Sequence, residues 1–410
     1  MNEAVLKIMP KMLMGEELDA ALRVLPAYDP YMREQGKVER LMGLESLYHV
    51  FIPSQMSREI YSKLYLSMLH SLQKKSGILA VQQSYENRRA IRQQSFDSIL
   101  GGSEAWTIIG DSGIGKSASV SRGLSLLMEK PFFDLGDAKV VPCLTVQTPA
   151  DASLKGFLFE VLRKLDEHLE THYYEHARRT GATVDILIGM ISQVSLSHVC
   201  LLVLDEIQNI VNSKNGKAIV GTLTQLINSS GISICMVGTP ETSLFFSQSM
   251  ILARRSLGLE YHSMPYDDTF RSFCSILYGY CYTHQHDPFD EAVCTWLYGH
   301  SGGNASIVVS LIHDAQEIAI LESYEKLDIK SLTLAYERRL SMLHDYIDVP
   351  RMNGKKAGKT KVVKSLPSRE ESQTDQGTDI YRTIMSAKED KRDILEALKN
   401  SGISIREVAV

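Results

Sequence analysis

Short apolar runs recur through the middle of the chain and alternate with amphipathic helical patterns. The runs occupy residues 105–109, 139–146, 199–204, 232–237 and 259–264. Short apolar runs bounded by polar turns are typical of buried parallel strands, whose two faces are covered by helices. The pattern therefore predicts an α/β fold with a five-stranded parallel sheet.

Helical spacing without strand patterns occupies both sides of this core. We therefore expect the chain to consist of four segments: an N-terminal helical extension at 1–80, the α/β core at 81–265, a helical lid at 266–346 and a final segment at 347–410. The extension carries no catalytic motif, so it is either a partner-binding surface or a belt packed on the core. The last segment begins as a lysine-rich flexible linker. It ends in a helical stretch that is either a docking peptide or a frayed terminus.

Composition narrows the class of protein. Hydrophobic residues make up 44% and charged residues 23%, and the net charge is −5, so any nucleic-acid surface must be local. The six cysteines include no C-x-x-C pair and read as reduced core residues. The cysteines and histidines between 274 and 300 match no common zinc-ligand spacing. No signal peptide and no apolar run of about 18 residues is present, which predicts a soluble intracellular protein without a membrane contact.

A glycine-rich motif follows the first apolar run and precedes a helical pattern. It has the form G-x-x-x-x-G-K-S and consists of Gly110, Asp111, Ser112, Gly113, Ile114, Gly115, Lys116 and Ser117. Its glycines let successive N–H groups and the helix N-terminus face an anion. Lys116 is expected to reach the β- and γ-phosphates of ATP, and the Ser117 hydroxyl to ligate Mg²⁺. A chance glycine-rich turn is the alternative interpretation.

The third apolar run ends in two adjacent carboxylates, Asp205 and Glu206. A buried strand that ends in this pair suits ATP hydrolysis: Asp205 is expected to hold the Mg²⁺ shell and Glu206 to polarise the attacking water. Nucleoside kinases and Ras-like GTPases usually lack the second carboxylate. The two motifs together predict a P-loop ATPase with an added central strand.

Two further positions are candidates for catalysis. Thr239 follows the fourth run and can hydrogen-bond the γ-phosphate or the lytic water, although a plain turn is the alternative. Arg254 and Arg255 end a predicted helix, where either guanidinium could face the γ-phosphate of a neighbouring subunit. Such a finger would make hydrolysis depend on assembly. The alternative for the pair is an intrachain salt bridge.

Taken together, these motifs resemble the AAA+ ATPases. More narrowly, Leu202 to Gln208, Met236 to Pro240 and Ala253 to Arg255 are similar in content and order to the TnsC/TniB transposition regulators of bacterial transposons. The resemblance covers roughly residues 40–345. It implies an ATP- and Mg²⁺-dependent homo-oligomer, a ring of six or seven subunits or a filament, around double-stranded DNA. It further implies that the protein bridges a TnsD/TniQ-type target selector, which the N-terminal extension would meet, and a TnsA/TnsB-type transposase, docked on the C-terminal tail.

The resemblance also implies which residues contact DNA. In the family, the loop and helix after the second strand line the DNA-facing pore, which here points to Thr148, Ser153, Lys155, Arg179 and Thr183. Hydroxyls and cations suit phosphate contacts, which position a protein without reading sequence. The implied location is the bacterial cytoplasm, at the nucleoid.

One departure from the family and three rival functions remain. Many AAA+ lids carry an arginine soon after a glycine, but residues 301–306 contain none, which predicts weak coupling between lid and nucleotide and slow hydrolysis. A replication initiator or helicase loader would use the same motifs, and so would a signalling NTPase switch that binds no DNA. A metabolic kinase is the weakest rival, because no acceptor-substrate pocket is recognisable.

Overall fold

The middle of the chain folds around a six-stranded sheet with the order β2-β3-β4-β5-β1-β6. The strands are β1 (Ala105–Gly110), β2 (Phe133–Asp134), β3 (Lys139–Gln147), β4 (Val199–Asp205), β5 (Ser233–Gly238) and β6 (Leu259–Tyr261). All pairings are parallel except that of β2 with β3. The predicted five-stranded parallel sheet is confirmed. The added edge strand β2 has only two residues, too few to produce a periodic signal.

The computed structural model describes residues 8–75, 78–93, 104–128, 132–134, 139–148, 153–211, 216–242 and 258–347. Helices before the lid are α1 (Gly15–Leu22), α2 (Lys37–Gly43), α3 (Ser46–His49), α4 (Gln55–Lys75), α5 (Ile78–Gln93), α6 (Lys116–Leu127), α7 (Leu154–Leu169), α8 (Tyr173–Arg179), α9 (Val184–His198), α10 (Gln208–Val211) and α11 (Gly216–Ser230). The lid holds α12 (Asp268–Gly279), α13 (Glu291–Ser301), α14 (Ala305–Leu321) and α15 (Ile329–Arg339), with a short parallel pair, β7 (Gln285–His286) and β8 (Lys326–Leu327). Short 3₁₀ helices span Pro30–Glu34 and Ser341–Tyr346.

Helices cover both faces of the sheet, as buried parallel strands require. Because side chains alternate along a strand, Leu202 and Leu204 of β4 pack among α7, α9 and α11, while Leu201 and Val203 pack among α4 and α6. Each fully buried leucine of this kind contributes about 1.5–3 kcal/mol through removal from water. The sheet is thus the middle layer of three, and its carboxyl edge holds the ends of β1, β4 and β5.

The N-terminal segment packs on both the sheet and the lid. Helix α4 lies against α6, and Lys63 forms an ion pair with Glu104 just before β1. On the lid side, Arg40 is 1% exposed and binds Glu325 with two hydrogen bonds of 2.6 and 3.0 Å. The hydrogen bond from Arg40 lowers the pKa of the Glu325 carboxyl. These contacts favour the belt interpretation of the segment. Residues 80 and 81, the predicted boundary with the core, lie inside α5.

The lid has a hydrophobic core of its own, to which α2 and α3 add partly buried and buried apolar residues. All six cysteines are buried free thiols, as the apolar runs predicted. Within the described ranges, the one His/Cys/Asp/Glu group close enough to share a metal ion is His313, Asp314 and Glu317, so the lid cysteines do not converge with histidines. No helix of the described chain has the length and apolar character that crossing a membrane would need.

Candidate nucleotide-binding and hydrolysis site

The glycine-rich loop joins β1 to α6 at the carboxyl edge of the sheet. Gly113 and Gly115 have φ values of +84° and +97°, which glycine adopts without the strain that a Cβ would cause. A Cβ on Gly110 would lie 2.4 Å from the Tyr261 carbonyl oxygen of β6, so this position needs glycine for close packing. The Ile114 side chain is buried beneath the loop. The local sequence therefore produces the curled backbone that phosphate binding requires.

Lys116 lies across the inside of this loop. Its amine donates hydrogen bonds of 2.7 Å to the carbonyl oxygens of Gly110 and Asp111. Burial lowers the pKa of this amine, and the carboxylates of Asp111, Asp205 and Glu206 oppose that shift. A cation held by neutral carbonyls next to carboxylates can exchange the carbonyls for phosphate oxygens, which offer stronger charge-assisted bonds.

The two carboxylates lie at the end of β4, beside the loop. The Asp205 carboxylate accepts a 2.9 Å hydrogen bond from the Glu206 N–H. Glu206 itself has a φ of +57°, a left-handed conformation that costs a non-glycine residue about 1–2 kcal/mol. Such strain concentrates at functional positions, and here it turns the chain sharply after the strand.

Gln208 is a site residue that the sequence analysis missed. Its side-chain amide donates to the Glu206 carboxylate, and its own amide oxygen is buried without a partner among the described residues. A Cβ on Gly238 would lie 3.3 Å from that oxygen, so β5 confines it. The available signal was a polar residue two positions after the carboxylate pair.

Thr239 follows β5 and borders the same cavity. Its hydroxyl donates to the Glu241 carboxylate, and this hydrogen bond is the main reason that the pKa of Glu241 is lowered. Lys116 lowers the same pKa through its charge. Glu241 is a second residue that the sequence analysis missed.

These groups surround one cavity of about 260 Å³. Its lining consists of Ser112, Gly113, Gly115, Lys116, Ser117, Ala118, Asp205, Glu206, Gln208, Gly238, Thr239 and Ser306. The core supplies every one of them except Ser306, which belongs to the lid helix α14. The amine of Lys116, the hydroxyl of Ser117 and the carboxylates of Asp205 and Glu206 line the same cavity. Such a set of groups suits a nucleoside triphosphate with its magnesium ion.

The predicted DNA-contacting residues divide into two groups. Ser153, Lys155, Arg179 and Thr183 are exposed. The structure contradicts the prediction for Thr148, which is 2% exposed. Its N–H and hydroxyl both donate to the Asp205 carbonyl, at 3.0 and 2.7 Å, because register places β3 beside β4 at this edge.

The exposed candidates differ in what they already bind. Ser153 and Thr183 are helix N-caps, accepting N–H groups of Gly156 and Ile186. Arg179 pairs with Glu175 at 3.1 Å, and the Lys155 amine lies 5.6 Å from the centre of the Phe159 ring. The proposed finger residues Arg254 and Arg255 lie outside the described residues.

Comparison with known proteins found a matching family model and several similar solved structures. Residues 102–257 match the family model of the bacterial TniB protein. No curated protein matches the chain. Similar solved structures include Drosophila ORC bound to DNA, with 13% identity over 99% of this chain and 86% of that chain and a TM-score of 0.45. Another is the Aeropyrum pernix ORC1 protein in complex with DNA, with 17% identity over 79% of each chain and a TM-score of 0.44. The Aeropyrum pernix ORC2 protein in ADPNP and ADP complexes gives 14% identity and a TM-score of 0.41, over 63% of this chain and 66% of that chain.

Proposed function

We propose that this chain is an ATP-dependent regulator of transposition, because residues 102–257 match the family model of the bacterial TniB protein, a family of transposition-associated AAA+ ATPases. It oligomerises on double-stranded DNA as a ring, of six or seven subunits, or as a filament. The assembly bridges a TnsD/TniQ-type target selector and a TnsA/TnsB-type transposase, and it acts on the nucleoid in the cytoplasm. The observation that carries the proposal is that the family match spans the loop, the carboxylate pair and the helices with the exposed cations.

The hydrolytic half of the proposal assigns a role to each group in the cavity. Ser117 and Asp205 would hold Mg²⁺, since a hydroxyl and a carboxylate oxygen are the hard donors this ion prefers. When bound, the ion neutralises charge on the phosphates. Lys116 binds the phosphates, Glu206 polarises the attacking water, and Thr239 orients it once its hydroxyl leaves Glu241. Arg254 or Arg255 supplies the finger from a neighbouring subunit.

The part of the proposal that concerns DNA binding depends on the exposed N-terminal ends of two helices, α7 and α9. Ser153 and Lys155 begin α7 directly after β3, at the carboxyl edge. Helix α9 ends where β4 starts, and its 15 residues span about 22 Å, so Thr183 begins it toward the same edge. An open depression of about 460 Å³ is lined by Tyr174, Glu175, Arg178 and Arg179. The cations and hydroxyls of this surface suit the phosphate backbone of DNA of any sequence, because phosphate contacts do not read the bases.

Electron microscopy tests the assembly directly. The protein is imaged with and without a non-hydrolysable ATP analogue and a duplex of arbitrary sequence. Rings or filaments threaded on DNA only in the presence of nucleotide are expected. Monomers under every condition would overturn the proposal and leave an ATPase switch of another purpose.

The salt dependence of binding tests the DNA surface. Lys155→Ala removes one phosphate contact, so the slope of log affinity against log salt becomes shallower by about 0.9, equally for different sequences. Lys164→Ala is the matched control, since Lys164 lies on the same helix and pairs with Glu167 at 2.9 Å. Equal slopes for both variants, or a loss confined to one sequence, would exclude the backbone-contacting role of Lys155.

A further inference from the structure

We infer that Asn304 is a latch residue that couples the lid to the nucleotide-binding loop without a charged group. The inference rests on the proposed ATP binding at this loop. Asn304 lies in a stretch of the lid where the sequence contains no arginine, which had predicted weak coupling. The structure shows a neutral contact at this place, made by hydrogen bonds between lid and loop.

Asn304 uses the two ends of its amide for two tasks. Its oxygen caps α14 by accepting the N–H groups of Ser306 and Ile307, at 3.1 and 3.4 Å. Its NH₂ group donates a 2.7 Å hydrogen bond to the Ser112 carbonyl of the loop. The Ser306 N–H also donates to the Gly113 carbonyl at 3.0 Å. One side chain therefore orders the first turn of the lid helix and attaches it to the tip of the loop.

The fit between the two segments is close. A Cβ on Gly113 would lie 2.7 Å from the Asn304 side-chain oxygen and 3.0 Å from the Ser306 Cβ. On the other side, a Cβ on Gly303, whose φ is +77°, would lie 1.9 Å from the Met264 carbonyl oxygen. The latch is thus held between the loop and the segment that follows β6. Movement of the lid helix must move or break the contacts with Ser112 and Gly113.

The chemistry explains why this contact affects nucleotide binding. Four successive carbonyls of the loop are engaged: those of Gly110 and Asp111 by Lys116, and those of Ser112 and Gly113 by the lid. A peptide whose carbonyl points to the lid has its N–H on the opposite side, because the peptide unit is planar. The latch therefore selects the loop conformation in which N–H groups are free for phosphate, and phosphate binding in turn stabilises the latched lid.

The variant Asn304→Ser separates the two tasks. Serine still caps a helix, so α14 keeps its N-cap, but its side chain is too short to reach the Ser112 carbonyl. Asp290→Ser is the matched control: Asp290 caps α13 in the same lid, accepts the Val293 N–H at 2.9 Å and is exposed. Both variants are made in the full chain and compared by calorimetric titration with a non-hydrolysable ATP analogue and by hydrogen exchange.

The latch predicts a specific pattern of results. Asn304→Ser raises the Kd for the analogue about tenfold, the effect of one neutral hydrogen bond, and nucleotide no longer slows exchange at the start of α14. Without nucleotide, the same variant speeds exchange in the loop at 110–116, and Asp290→Ser changes neither quantity. Unchanged loop exchange and unchanged affinity in Asn304→Ser would overturn the latch. A wild-type protein that binds no analogue would instead overturn the proposed function, while the nucleotide-free exchange still decides on the latch.

Discussion

Two buried lysine amines in this molecule have the same local chemistry and different surroundings. Lys116 donates to the carbonyls of Gly110 and Asp111, and Lys75, at the end of α4, donates to those of Ser195 and Val199. Burial lowers the pKa of both amines, that of Lys75 to about 8. Part of the Lys75 side chain reaches solvent, but its amine is enclosed.

The difference lies in what else each amine can bind. Lys116 borders a cavity with Asp205 and Glu206, whose charges support its protonated form. Lys75 is placed between the end of α9 and the start of β4, where carbonyls are its partners. A lysine amine that donates to carbonyls thus joins the end of α9 to the start of β4 in one region, and in the other it is the proposed phosphate-binding group. The open cavity and the carboxylates, rather than the lysine, decide between the two roles.

Lys116→Ala is expected to have the largest effect. It removes the two charge-assisted hydrogen bonds that Lys116 is proposed to donate to phosphate, each worth about 1.5–3 kcal/mol, so the Kd for ATP should rise about 1,000-fold. Titration calorimetry measures this, and thermal unfolding without nucleotide should change little. The comparison breaks down if Lys75→Met weakens ATP binding as strongly as Lys116→Ala does.

Glu206→Gln tests what the carboxylates add to the surroundings of Lys116 that the surroundings of Lys75 lack. They could activate water for hydrolysis, or they could supply negative charge alone. Loss of the carboxylate that is proposed to polarise water should lower kcat about 100-fold, while ATP affinity stays within a few-fold and DNA-bound assemblies accumulate. Glu241→Gln is the matched control, since Glu241 also faces Lys116 but binds Thr239. Equal losses of kcat in both variants, or loss of assembly in Glu206→Gln, would count against Glu206 as the water activator.

Lys75→Met sharpens the comparison from the other side. The folded-state pKa of about 8 lies below the ordinary value of 10.5, so between these pH values the unfolded chain binds more protons than the folded one. Wild-type stability should therefore rise relative to Lys75→Met as pH increases through this window, by about 3 kcal/mol. Denaturant unfolding at several pH values measures the difference. A constant difference from pH 7 to above pH 10 would show that the amine titrates normally.

The sequence analysis predicted the parts of the site that are local in the chain. The loop and the carboxylate pair are recognisable because each needs only a strand end and a fixed spacing. The contact between Asn304 and Ser112 joins residues 192 apart, so no local pattern indicates it. Thr148 was assigned to DNA because the family resemblance places the loop after the second strand at a DNA-facing pore, but register with β4 buries it against Asp205. Burial at a sheet edge depends on the neighbouring strand, which the local sequence does not show.

Gln208→Glu is the smallest and most selective test of the carboxylate end of the cavity. A second carboxylate at this position cannot donate to Glu206, and its negative charge repels that of Glu206. We expect kcat to fall about tenfold at neutral pH in steady-state assays of ATP hydrolysis. Gln208→Ala, which adds no charge, should lower kcat by less. If both variants lower kcat equally, the effect comes from lost packing against Gly238, and the amide of Gln208 has no electrostatic role in orienting Glu206.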